Sequence, residues 1–176
     1  MDRIDLAELI ENVIANFSRG HAGLGPPVFV TIPADLPAVP WRDPCVRQFV
    51  KAFLCDVFLT NRCDVPVRVA AYRRSSLTDL EDITGIRPDH WIQLRVSGRG
   101  LQIVEKLIEK RFEEMGYRCE EWLVTEHSEA VLGIFRSSTE PAVKMVFGID
   151  PTRTVRKFDL LIPIAESTPL PDFSAP

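Results

Sequence analysis

Residues 91–108 read Trp-Ile-Gln-Leu-Arg-Val-Ser-Gly-Arg-Gly-Leu-Gln-Ile-Val-Glu-Lys-Leu-Ile, and the fold turns on this stretch. The run Trp91 to Val96 is apolar and bulky enough for a strand. It passes without a spacer into Ser97-Gly98-Arg99-Gly100. Leu101, Val104, Leu107, Ile108 and Met115 then fall on one helical stripe, with Gly116 as the stop. Charged residues fill the outer side of that helix and read as a solvated surface. The stretch predicts a strand, a glycine turn and a helix from about Leu101 to Met115.

Two more helices precede it. Leu6, Leu9, Ile10, Val13, Ile14 and Phe17 form one stripe, opened by Asp5 with Glu8 three residues on and closed by Gly20. In the second, Asp43 is the cap, Pro44 takes the first helical position, and Val46, Phe49, Val50, Phe53, Leu54, Val57 and Phe58 face inward. Strand-like runs cover Val28–Ile32, Val65–Tyr72, Trp91–Val96, Glu121–Thr125, Ala130–Phe135, Val143–Gly148 and Val155–Ile162. Val131–Phe135 and Ala142–Phe147 read as a hairpin. Ser75–Pro88 is a polar, acidic insertion, and Asp79, Glu81 and Asp82 in it read as water-facing charge. One mixed, mostly antiparallel sheet with about three helices on one face, an α+β two-layer sandwich, accounts for the pattern. The expected organisation is one domain over residues 1–166 and a proline-rich, mobile tail over 167–176.

Composition narrows the function classes. The chain has 176 residues, 45% hydrophobic and 26% charged, which excludes wholesale disorder. No apolar run reaches the roughly 20 residues of a membrane span. The opening residues show no basic stretch leading into an apolar one, so neither a secretory leader nor an extracellular location is expected. A net charge of -4 argues against nucleic acid as the main partner. Cys45, Cys55, Cys63 and Cys119 form no Cys-x-x-Cys pair, and His21, His90 and His127 lack neighbours at ligand spacing. No metal site is expected, and reduced cytoplasmic thiols are. No Walker loop, Gly-x-Ser-x-Gly elbow or His-Glu-x-x-His helix is present.

The order of elements resembles the ATP-binding domain of two-component histidine kinases, in the GHKL (Bergerat-fold) ATPase superfamily. The resemblance runs over roughly residues 4–118 and the last strand. It is carried by Asp5-Leu-Ala-Glu-Leu-Ile-Glu-Asn-Val-Ile, Val28-Phe-Val-Thr-Ile-Pro-Ala-Asp-Leu-Pro, Trp41-Arg-Asp-Pro and Arg47-Gln-Phe-Val-Lys-Ala-Phe-Leu-Cys-Asp-Val-Phe. Gly98-Arg-Gly-Leu-Gln-Ile-Val-Glu-Lys-Leu-Ile-Glu is similar to the second glycine box, and Phe158-Asp-Leu-Leu-Ile-Pro to the closing strand.

The resemblance implies a nucleotide pocket at Asp56, Gly98, Arg99 and Gly100, yet the chemical positions depart from the family. The magnesium-binding asparagine corresponds to Asp56 and the polar residue one turn earlier to Ala52. The adenine-reading aspartate corresponds to Val96, a loss on the order of 1–3 kcal/mol. No lid separates two glycine boxes, and Val155-Arg156-Lys157 stands where the family has Gly-Thr-Thr. Gly98 and Gly100 could cradle an anion with Arg99, or simply make a tight turn. The phosphate-accepting helical hairpin is not part of the match, and His127 reads as a surface residue of a turn. The expectation is a degenerate, non-catalytic domain of bacterial signalling with no cofactor beyond weak ATP and magnesium binding. Its partner would be a kinase's helical hairpin, a response regulator or a second copy. Ser75–Pro88 and residues 119–148 are the two surfaces that depart from the family plan. The alternative is a working ATPase or kinase with altered boxes.

Overall fold

The computed structural model describes residues 5–20, 25–36, 44–61, 64–75, 77–85, 87–88, 90–102, 105–124, 131–138, 144–150 and 155–164. Asp43, His127 and the tail 167–176 lie outside the described residues. The elements are α1 (Leu6–Gly20), β1 (Val28–Thr31), α2 (Pro44–Thr60), β2 (Val67–Arg74), α3 (Thr78–Thr84) and β3 (His90–Arg99). They continue as α4 (Glu105–Glu114), β4 (Tyr117–Val124), β5 (Val131–Ser137), β6 (Lys144–Asp150) and β7 (Val155–Ile164). This is an α+β chain with a mixed sheet.

The seven strands form one sheet in the order β1-β2-β3-β7-β6-β5-β4. Only β1 and β2 run parallel; the other neighbours are antiparallel. All seven strand runs read from the sequence are present, and the β5–β6 pair places Phe135 opposite Met145. Asp5 caps α1 as expected, its Oδ1 accepting from the Ala7 and Glu8 amides at 2.9 and 3.1 Å.

Strand alternation gives the sheet two faces. Val67, Val69, Ala71, Ile92, Leu94, Val96, Phe135, Met145, Phe147, Phe158, Leu160 and Ile162 point to the face that α1, α2 and α4 cover. The stripes of α1 and α2 pack there as the spacing predicts: Ile10, Phe49, Val50, Leu54 and Phe58 are fully buried. Phe112 of α4 was absent from the expected stripe, yet it centres the aromatic cluster. Its ring lies 3.7 Å from Phe135 and 4.1 Å from Phe49, centroid to centroid.

Two expectations shift. The third predicted helix, from about Leu101, does not include Leu101 and Gln102 and is described over Glu105–Glu114, although Leu101 is buried as foreseen. The acidic insertion Ser75–Pro88 holds a fourth helix, α3, on the opposite face. Leu80 of α3 packs on Trp91, Val146 and Leu161, with Leu77 and Leu132 at the margin. Leu77, Leu80, Ile83 and Ile86 recur there at every third position, but the acidic and polar residues between them carried the loop reading. The segment adds a partial third layer to the sandwich. Among the described residues no helix is long and apolar enough to cross a membrane.

Candidate functional site

The helix stripe of α2 leaves Asp56 on its flank, facing α4 rather than open water. Arg111 of α4 reaches it with both arms of the guanidinium: Nε donates to Oδ2 at 2.6 Å and Nη2 to Oδ1 at 2.9 Å. Nη1 of the same arginine donates to Glu114 Oε2 at 3.0 Å. The hydrogen bond from Asp56, then that from Glu114, raises the Arg111 pKa further above its ordinary range. Both carboxylate oxygens of Asp56 are therefore engaged in a planar fork, the strongest geometry an arginine offers. Ala52, one turn earlier, has no oxygen ligand to offer. The helix carboxylate that the sequence singles out ties two helices together.

Arg111 was read as part of a solvated helix face, and no local spacing could have paired it with a carboxylate 55 residues away. Beside the pair, Phe49, Phe53, Leu107 and Ile108 line a crevice between α2 and α4 with room for about one water molecule. A nucleotide needs a pocket of roughly 300–1,000 Å³.

Gly98, Arg99 and Gly100 lie beyond the C-terminal end of α2. Gly98 and Arg99 are still in β3, opposite Arg156 and Val155 of β7. A Cβ on Gly98 would fall 3.0 Å from the Pro66 carbonyl oxygen, so the close approach of neighbouring backbone favours glycine there. Gly100 has φ +66°, the left-handed region that glycine enters without strain. The chain then turns back, with the Leu101 amide on the Gly98 carbonyl at 3.4 Å.

The turn is fastened to the rest of the fold by Asn61, which sequence reasoning passed over. Its Nδ2 donates to the Val57 carbonyl at 2.6 Å and its Oδ1 accepts from the Gln102 amide at 3.0 Å. Arg156 Nη1 donates to the Leu101 carbonyl at 3.3 Å. The Gln102 amide is thus spent on Asn61 rather than offered to an anion. Arg99 is exposed, and by strand alternation it belongs to the face opposite α2 and α4. The structure therefore separates Arg99 from Asp56. Val96, which the resemblance set against the family's adenine-reading aspartate, is fully buried in the core between Val69 and Phe158.

Among the described residues, the remaining reactive groups offer no second centre. Burial, then the charge of Asp56, pushes the Cys55 thiol above its ordinary pKa, with Arg111 opposing. Burial, with Glu109 next, does the same to Cys119. Neither is poised as a thiolate nucleophile. Among the described residues no group of three or more His, Cys, Asp or Glu side chains is arranged to hold a metal ion. Set against known protein families and curated proteins, the sequence matches none of them.

Proposed function

We propose that this chain is a non-catalytic domain of Bergerat type, resembling the ATP-binding domain of histidine kinases, that acts by binding protein in bacterial two-component-type signalling. The observation that carries the reading is the commitment of Asp56 to Arg111. A magnesium site would have to strip that carboxylate from a bidentate cation, with no second oxygen ligand on the helix to help. The Gly98–Gly100 turn supports the same reading, because its crowded and left-handed positions serve chain reversal. Such a domain works in the cytoplasm. Its partner is a kinase's helical hairpin, a response regulator or a second copy of the chain.

Calorimetric titration with ATP and magnesium tests this directly. No saturable heat is expected up to millimolar nucleotide. A dissociation constant in the low micromolar range would sink the reading in favour of an altered ATPase that uses Asp56 for metal and the glycine turn for phosphate.

A further inference from the structure

The two edges of the sheet are finished differently. At one edge, β4 carries Arg118, Glu120 and Glu121, is broken by a bulge between Cys119 and Glu121, and lies beside α4, whose Glu109 accepts from the Trp122 indole. Charges and bulges on an edge strand are the usual protection against further strand pairing. Glu120 also takes a cross-strand ion pair with Arg136 at 2.6 Å.

At the other edge, β1 reads Val28-Phe29-Val30-Thr31 and has no charge, no bulge and, among the described residues, no strand beyond it. Phe29 is 57% exposed and Val30 39%. Pro26, Pro27 and Pro33 bracket the strand, so a newcomer can pair over only about four residues, roughly 13 Å.

Register shows what lies next to this edge. On the face away from α1, α2 and α4, Phe29 stands beside Arg68, and Arg68 beside Ser97. Two residues along, Thr31 stands beside Ala70, Ala70 beside Arg95, and Arg95 beside Asp159. Farther on come Tyr72 and Arg74, with the Arg74 and Arg95 guanidinium carbons 5.2 and 5.9 Å from the Tyr72 ring centre. Arg99 completes the set at the strand's end. Asp159 is engaged with Arg95 at 2.8 Å. Lys157 and Asp150 are register partners at the far margin. Among the described residues, Arg68 and Arg99 take no ion pair, so this half of the sheet carries positive charge in a chain whose net charge is -4.

We infer that β1 accepts an extended, acidic segment of a partner protein, which adds to the sheet as an eighth strand and places a carboxylate past Phe29 against Arg68. Main-chain pairing at an open edge supplies affinity, and alternate side chains supply specificity. A second copy of the chain fits less well. Two β1 strands would share four residues a side, far below the roughly 1,600 Å² of a stable interface, and would leave the arginines without counter-charge. The inference deepens the binding role proposed above by naming the surface and the chemistry of the partner.

Selection of phage-displayed random dodecapeptides on the full chain tests it. The selected peptide is then labelled and titrated by fluorescence anisotropy. Enriched peptides should alternate acidic and apolar residues, and their binding should weaken with salt. Phe29→Asp and Arg68→Glu should each weaken binding at least about tenfold, while Val124→Asp at the other edge leaves it unchanged. Arg68→Ala, with wild-type melting temperature, guards against a folding defect in the other two. Basic or helical winners, or binding that survives both changes, would overturn the inference. So would a dimer by light scattering that Phe29→Asp dissolves, or tighter binding of oligothymidylate to the same face. Nucleotide binding bears only on the proposed function, so the two readings fail separately.

Discussion

On the face covered by α1, α2 and α4, the sheet meets helices whose apolar stripes are long and continuous, and Phe49, Phe53, Phe112, Phe135 and Phe147 interlock through ring contacts. On the opposite face, among the described residues, the seven-residue helix α3 covers Trp91, Val146 and Leu161 through Leu80, and the β1–β2–β3 half carries arginines instead. There the Trp91 indole nitrogen is buried without an acceptor among the described residues. A buried N–H left unpaired is itself unfavourable by about 1–3 kcal/mol. One face thus holds the fold together, while on the other α3 is the covering element among the described residues. Apolar period across several helices, rather than sheet content, decides where stability resides.

The sharpest way to break this contrast is Phe53→Ala. Phe53 is 2% exposed and meets Phe49 and Phe147, so its loss should destabilise by about 3–5 kcal/mol in urea unfolding. Near-native stability would mean that the first face is not the main core. Leu80→Ala on the other face should cost only about 2 kcal/mol, the low end for a leucine, because a short helix over one patch can settle. A larger loss than at Phe53 would invert the comparison.

Asp56→Ala sits between helices of the first face. An unpaired helix carboxylate would be worth no more than about 0.5 kcal/mol either way. The bidentate pair with Arg111, whose side chains are 19% and 31% exposed, raises the expected loss to about 1 kcal/mol, identical with and without magnesium. Magnesium-dependent stabilisation of the wild type alone would show that the carboxylate leaves Arg111 for metal. Last, Arg68→Glu on the open half should change stability by no more than about 0.5 kcal/mol. A melting temperature well below wild type would mean that this half is structural after all.

The sequence by itself determined the place of each described strand, though not that β4 begins at Tyr117 or that β3 runs on to Arg99, together with the helices α1 and α2 and the inward set Phe49, Val50, Phe53 and Leu54. Each follows from a local period that burial enforces residue by residue. Gly100 was likewise legible, since a tight strand-to-helix turn calls for a residue tolerant of positive φ. The order of strands across the sheet was decided only by tertiary structure. β7 inserts between β3 and β6, pairings set by residues more than sixty positions apart in the case of Arg95 and Asp159. The same holds for the site. Position alone made Asp56 a carboxylate facing a would-be pocket. Arg111 made it a helix-to-helix tie, and Asn61 turned a glycine motif into a fastened corner. Polar partnerships carry no period, because a side chain's hydrogen bonds are satisfied by whatever the fold brings within about 3 Å. The burial of α3 escaped the sequence for a related reason. Leu80 gains its worth from Trp91, Val146 and Leu161, and only the finished sheet puts those three side by side.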